Sequence, residues 1–282
     1  MAIWKAGVPI PYDEELLLVG DCVDGLRLFA DESVACVFAD PPYNLSSKEL
    51  TWVGKKGGGD WYKINESWDC FAYEDYEEFT ARWIAEAVRI LVPGGALWVC
   101  CSLHNEAECA MAVKRSGMKL LNIVTWVKLN PVPNKTRRSF THACEYLLFS
   151  VKGSNWKFNY SALKEMNPER TKDGSRRAMR DAWELPVCQG RERLHRPDGR
   201  AAHPTQKPLE LVRRVLVAST DPGDLVVDPF FGSGTTGHAA KDLGRRWIGI
   251  ESKEEYVPLS EKRLGLLPQR VARLDTIQAR RS

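Results

Sequence analysis

The stretch Leu225-Val-Val-Asp-Pro-Phe-Phe-Gly-Ser-Gly-Thr-Thr-Gly237 constrains the fold more than any other part of the chain. A short apolar run ends at Asp228, glycines follow at 232, 234 and 237, and a helical pattern starts at Thr235 or Thr236. Glycines at that spacing let the chain turn tightly and let a ligand approach the backbone, while the helix N-terminus offers unpaired N–H groups. Arg246-Trp-Ile-Gly-Ile-Glu251 reads as the next strand. It ends on Glu251, where an acidic side chain accepts hydrogen bonds from ribose hydroxyls. Together they predict half of a Rossmann-like sheet holding an adenosine-type cofactor. The glycines alone do not separate a dinucleotide from S-adenosylmethionine, and a purely structural turn is the plain alternative.

Apolar runs of strand length recur at 34–39, 96–101, 123–127, 146–151, 225–227 and 247–250, and read as buried parallel strands. Helical patterns lie between them: 73–91, stopped by Pro93-Gly94-Gly95, then 104–116, 208–219 and 235–243. This alternation predicts an α/β fold with a doubly wound, mostly parallel sheet. The 282 residues make one large domain or two small ones, long enough to bury a core without a disulfide or metal staple. Eight cysteines form no Cys-x-x-Cys pair and no zinc spacing. No metal is therefore expected, and free thiols in a reducing cytoplasm are. No apolar stretch reaches the ~18 residues of a membrane span.

A formal net charge of +3 says little about partners until it is resolved along the chain. Residues 135–200 hold 15 Lys/Arg against 8 Asp/Glu, a local charge of +7 that leaves −4 elsewhere. Trp156, Phe158, Tyr160 and Trp183 are interleaved with Arg170, Arg176, Arg177 and Arg180. Such a mixture suits phosphates and bases. A solvated face over a satellite core is the alternative. Residues 46–69 carry Gly57-Gly58-Gly59 and four lysines, and read equally as a loop that closes over a ligand or as a simple insertion. The Arg-rich tail 267–282 reads as added basic surface or a frayed end.

The second chemical motif, Asp40-Pro-Pro-Tyr-Asn-Leu45, follows the first predicted strand. Its two prolines stiffen the turn, remove two N–H donors and leave the Pro41 carbonyl free to accept. Asp40 adds a carboxylate acceptor, and Tyr43 adds a flat ring. Two acceptors and a stacking platform suit an exocyclic –NH₂ on a planar base. Gripping both amino hydrogens favours localising a lone pair that is otherwise delocalised into the ring. A nicotinamide-dependent oxidoreductase would share the glycine loop but has no use for this motif.

Asp40-Pro-Pro-Tyr43 with Phe230-x-Gly-x-Gly234 resembles the amino-group DNA methyltransferases, which methylate adenine N6 or cytosine N4 from S-adenosylmethionine. The catalytic motif precedes the cofactor loop, which is similar to the permuted beta group of that family. The resemblance covers about residues 18–264. It implies a circularly permuted, Rossmann-like methyltransferase fold: a catalytic half at 1–134, an inserted target-recognition region at 135–200, a cofactor-binding half at 201–264 and a tail at 265–282. Asp40, Pro41, Pro42 and Tyr43 are implied as catalytic. Asp21 and Cys22 resemble the segment beside the cofactor adenosine, and His203, Thr205, Gln206 and Lys207 the segment at its methionine end. Asp40, Asp228, Pro229, Phe230, Gly232, Ser233, Gly234, Thr235, Thr236 and Glu251 complete the implied cofactor site. Trp126 to Asn134 resembles a segment near the target base. Lys128, Asn130, Lys135, Arg137, Arg138, Arg170, Arg176, Arg177 and Arg180 are the expected DNA contacts. Double-stranded DNA is the expected partner, with a homodimer and a cognate restriction endonuclease as further partners, in the cytoplasm. Asp at the first motif position favours adenine over cytosine. An RNA or protein methyltransferase is the remoter alternative.

Overall fold

The protein is described from a computed structural model over residues 15–44, 71–134 and 137–275. In chain order the elements are β1 (Leu16–Val19), α1 (Cys22–Leu26), β2 (Val34–Ala39), α2 (Tyr73–Ile90), β3 (Leu91–Cys101), α3 (Glu106–Arg115), β4 (Lys119–Lys128), β5 (Cys144–Val151), α4 (Tyr160–Met166), β6 (Ala182–Leu185), α5 (Leu209–Ser219), β7 (Leu225–Asp228), α6 (Thr235–Asp242), β8 (Arg246–Glu251), α7 (Val257–Leu264) and β9 (Val271–Arg273). The nine strands form one sheet in the order β6-β4-β5-β3-β2-β7-β8-β1-β9.

Six of the strand runs read from sequence are present, with one change of direction. β5 runs antiparallel to both neighbours, β3 and β4, whereas it reads as parallel from its composition. Burial on both faces gives an apolar run in either direction, so the pattern does not record polarity. The same strand corrects the expected boundaries of the inserted region, because Cys144–Val151 lies inside the main sheet rather than in a separate unit. α2 ends at Ile90 with Leu91 as its C-cap, two residues before Pro93, and Pro93-Gly94-Gly95 belong to the start of β3. Part of the tail is neither frayed nor loose: β9 pairs with β1 at the sheet edge.

Successive strand residues divide between two cores, as a pleat requires. Leu16, Leu18, Val37, Ala39, Leu97, Val99, Val227 and Ile248 face α1, α2 and α3. Leu17, Cys36, Phe38, Trp98, Val226 and Trp247 face α4, α5, α6 and α7. α2 shows the matching helical stripe, burying Tyr76, Thr80, Trp83, Ile84, Ala87 and Ile90.

The functional region follows from topology. β2 and β7 are neighbours, with Cys36 opposite Val226 and Val37 opposite Val227. From β2 the chain crosses to β3 on one side, and from β7 to β8 on the other. Diverging connections open a crevice beyond the C-terminal ends of the two strands. Residues 40 and 228, far apart in sequence, meet there. Among the described residues no helix is long and apolar enough to cross a membrane.

Glycines at 237 and 249 let Phe231 fill the space between α6 and β8. A Cβ on Gly249 would stand 2.3 Å from the Phe231 ring, and one on Gly237 2.8 Å from it. The ring stacks on Trp247 with 5.0 Å between centroids and 15° between planes. Gly249→Ala is expected to lower unfolding stability by ~1–3 kcal/mol through overpacking, read as a lower urea midpoint. An unchanged midpoint would contradict this packing.

Candidate active site

The turn after β2 is held from behind. Asn44 adopts φ +55°, which Asn tolerates better than most residues, and its Oδ1 accepts from Phe71 N at 2.9 Å. The Pro42 carbonyl accepts from the Tyr76 hydroxyl of α2 at 2.8 Å. That hydroxyl accepts from Asn105 Nδ2 at 2.9 Å, and Asn105 Oδ1 takes Ser102 N at 2.8 Å. No described residue donates to the Pro41 carbonyl.

Asp40 sits within a network of charges. Lys207 Nζ lies 2.6 Å from its Oδ2, and the Tyr43 hydroxyl lies 3.0 Å from its Oδ1. Glu145 completes the group: its Oε2 is 3.1 Å from the Tyr43 hydroxyl and 3.7 Å from Lys207, and its Oε1 is 2.6 Å from Lys128. Burial pushes the Asp40 carboxyl above the usual carboxylate range, against the pull of Lys207. Burial alone would lower Lys207, but Asp40 and Glu145 outweigh it and hold the ammonium charged. For Glu145 burial works upward, and Lys207 and Lys128 bring it below its ordinary value. Burial keeps the Tyr43 hydroxyl protonated, reinforced by Asp40 and Glu145. His203, buried and beside Lys207 and Arg193, is lowered to about 3 and is a neutral imidazole.

The glycine loop after β7 is laced by the acidic residues around it. Asp228 Oδ1 accepts from Phe230 N at 2.8 Å, and its Oδ2 from the Thr236 hydroxyl at 2.6 Å. Burial raises Asp228 to about 7, partly offset by those hydrogen bonds. Glu251 accepts from Gly232 N at 2.6 Å and from Lys253 N at 2.7 Å. Gly232 has φ +51°, and a Cβ there would stand 2.9 Å from His203 Nε2. At the next strand end, Asp21 caps α1 by accepting from Val23 N at 2.8 Å.

These elements enclose a cavity of about 320 Å³. Of the residues expected from sequence, Asp21, Cys22, Asp40, Pro41, Pro42, Tyr43, His203, Thr205, Lys207, Pro229, Phe230, Gly232 and Glu251 line it. Gln206, Asp228, Ser233, Gly234, Thr235 and Thr236 do not; they shape the wall from outside. The Gln206 side chain donates to Glu192 O and accepts from Leu194 N, and Thr235 Oγ1 receives Arg263 at 2.9 Å. Phe71, Phe79, Ser252, Lys253 and Tyr256 also line the cavity, although no motif marks them. Ser252 and Lys253 follow a strand end directly, a position at which α/β folds place ligand contacts. Phe71 and Phe79 form an aromatic wall with Phe230, whose ring meets Phe79 at 6.2 Å and Trp83 at 5.3 Å.

Among the expected DNA contacts, Arg137 and Arg138 are exposed, and Lys135 lies outside the described residues, as does the lysine- and glycine-rich stretch 46–69. The remaining ones have these protein partners. Lys128 is committed to Glu145 and largely buried, and Asn130 bridges Val187 N and Gln189 Oε1. Arg170 donates to the Asn167 carbonyl, Arg176 pairs with Glu165, Arg177 donates to the Arg170 carbonyl and Arg180 pairs with Glu169. Trp183 is core, beside Trp98. The interleaving of aromatic and basic residues is thus in part the packing of α4 and β6 onto the sheet, the plainer of the two sequence readings. No cluster of three or more metal-ligating side chains occurs among the described residues.

A carboxylate and an unpartnered carbonyl beside a glycine-loop cavity agree with comparison to known proteins. Residues 34–262 match the family of N6/N4 DNA methylases. The chain belongs to this family. It is 37% identical over 251 residues to the type II methyltransferase M.HinfI of Haemophilus influenzae, covering 88% of this chain and 67% of that protein. It is 39% identical over 256 residues to the type II methyltransferase M2.DpnII of Streptococcus pneumoniae, covering 88% and 89%. Among solved structures, the M1.HpyAVI–SAM complex superposes with a TM-score of 0.63 at 25% identity, over 90% of this chain and all of that one. PvuII DNA methyltransferase, cytosine-N4-specific, superposes at 0.68 over 99% of this chain and 95% of that one; at 20% identity it speaks for the fold alone.

Tyr76→Phe removes the hydroxyl that pins Pro42 and leaves the buried Asn105 amide short of an acceptor. We expect this methylase variant to lose ~1–3 kcal/mol of stability, read by thermal unfolding. An unshifted transition would contradict the role given to Tyr76.

Proposed function

We propose that this methylase transfers a methyl group from S-adenosylmethionine to N6 of an adenine rotated out of duplex DNA. The observation that carries the reading is the pair of acceptors, the Asp40 carboxylate and the free Pro41 carbonyl, on the wall of the cavity that the glycine loop also lines. The residues present fit the cofactor. Gly232 has no room for a Cβ beside the His203 ring, so the loop backbone itself forms the cradle, and Phe230, Glu251 and Asp21 stand at three adjacent strand ends to hold an adenosine. Glu251 spends one lone pair on each oxygen holding the loop, and the remaining pairs are available to ribose hydroxyls. The methionine end is assigned to Thr205 and His203, because Lys207 is engaged by Asp40. Bound there, S-adenosylmethionine supplies an electrophilic methyl group on a sulfonium.

The protein's own part is to grip and orient. Rotating the base out costs a few kcal/mol of unstacking. Tyr43 offers a ring face opposite the one covered by Lys207, whose Nζ lies 5.0 Å from the ring centroid. Asp40 and Pro41 O accept the two amino hydrogens and aim the nitrogen lone pair along the line of attack. Positioning of this kind can contribute ~7 kcal/mol or more. Arg137, Arg138 and Lys135 are the side chains we assign to phosphate contact. The reading extends to a homodimer and a cognate endonuclease, which rest on the family resemblance; light scattering of the purified protein tests the former.

Cytosine N4 is the second reading, since its amino group suits the same two acceptors. Digestion of methylated DNA to nucleosides and mass spectrometry decides: we expect N6-methyladenine, and N4-methylcytosine as the sole product would overturn the base assignment. Asp40→Ala is expected to abolish transfer while leaving cofactor binding within a few-fold of wild type, and a substantially active variant would contradict its catalytic role. Gly232→Val, by contrast, should remove calorimetric binding of S-adenosylmethionine, and unchanged affinity would contradict the cradle. Duplex affinity should fall steeply with salt, as phosphate contacts require.

A further inference from the structure

Glu145 is a charged member of the Asp40 network that no sequence motif marks. It stands near the start of β5, in a run that is otherwise apolar, and its side chain is only 17% accessible. Three elements converge on its carboxylate: β4 through Lys128, the turn after β2 through Tyr43, and the segment before α5 through Lys207. Resting on the function proposed above, we propose that Glu145 is a positioning residue for methyl transfer. It holds Lys207 against Asp40 and gives the Tyr43 hydroxyl a second acceptor to turn to when the target amino group arrives.

Counting hydrogens carries the inference. A tyrosine hydroxyl has one hydrogen, yet that of Tyr43 stands 3.0 Å from Asp40 Oδ1 and 3.1 Å from Glu145 Oε2. It donates to one carboxylate at a time. While it donates to Asp40, each Asp40 oxygen already accepts one hydrogen bond, Oδ2 from Lys207 and Oδ1 from Tyr43, and an amino hydrogen of the base must share Oδ1 with the hydroxyl. When it turns to Glu145, Oδ1 offers its full accepting strength to the base. With an apolar side chain at 145 the hydroxyl would have no second acceptor and would compete with the substrate.

Charge counting agrees. Asp40, Lys207, Glu145 and Lys128 alternate in sign along the network and sum to zero. Removing Glu145 would leave two buried ammonium groups to one carboxylate. The groups facing it are Lys128 from β4, Lys207 from before α5, Asp40 and Tyr43 from the turn, and the Cys100 thiol of β3. Its negative charge raises both Asp40 and Lys207. Neutralising it therefore lowers both, and the acid limb of a pH–rate profile, which Asp40 sets, moves to lower pH.

The test is Glu145→Gln beside wild type, with methyl transfer to duplex DNA followed across pH and S-adenosylmethionine binding measured by calorimetry. We expect kcat to fall on the order of 10²-fold, the cost of a small misplacement at the reacting centre. Cofactor affinity should stay unchanged, and the acid limb should shift to lower pH. Wild-type kcat, or a reduced kcat with the acid limb in place, would overturn the proposal and leave Glu145 a structural residue. If Glu145→Gln does not fold, Glu145→Asp keeps the charge: reduced kcat with a wild-type acid limb supports the proposal, and a shifted limb overturns it. An inactive wild type overturns both this inference and the function it rests on, whereas an active wild type matched by Glu145→Gln overturns this inference alone.

Discussion

Lys207 and Asp40 are 167 residues apart in the chain and 2.6 Å apart in space, and the site is organised around that contact. Both groups are withdrawn from water. A buried charge of either sign without its partner is costly, on the order of 3–5 kcal/mol when one member is removed. The pair therefore ties the turn after β2 to the segment leading into α5. It also bears on the protonation states on which the chemistry depends: Lys207 stays an ammonium, and its charge opposes the burial that raises the Asp40 carboxyl. Tyr43 and Glu145 extend the tie to β5, and Lys128 extends it to β4.

Why two distant segments meet is a matter of sheet order. The Asp40-Pro-Pro-Tyr43 turn follows β2 and the glycine loop follows β7, and these strands pair side by side while their connections diverge. A permuted chain reaches the same crevice as an unpermuted one, because the crevice belongs to the strand ends and not to the chain ends. The loop itself is held by backbone donors to Asp228 and Glu251.

Much of this was legible before the structure. The Asp40-Pro-Pro-Tyr43 turn and the glycines of the loop announce themselves because rigid φ angles and missing side chains leave few alternatives. Strand runs buried on both faces announce themselves too, although their direction does not, as β5 shows. β6 escaped notice because it is short and alternates exposed and buried residues within a basic stretch. Phe71 and Phe79 escaped because they reach the cavity across the crevice, and an apolar helix face carries no mark of what it packs against. The basic residues carry no mark of their partners: Lys128, Arg176 and Arg180 look like phosphate ligands in one dimension and also hold ion pairs in three. Glu145 carries a signal, the single charged residue of the strand Cys144–Val151, but nothing local tells it from the other acidic residues of that stretch.

The central claim, that the network presents Asp40 and the Pro41 carbonyl as paired acceptors for an extrahelical amino group, is tested most directly by a crystal structure with duplex DNA and a non-reactive cofactor analogue. The quantity to measure is the distance from the amino nitrogen to those two oxygens. The account predicts both at hydrogen-bond length, within about 3.2 Å, with Lys207 still on Asp40 Oδ2. A base seated in the cavity with its amino group turned away from Asp40, or Lys207 moved off Asp40, would contradict it.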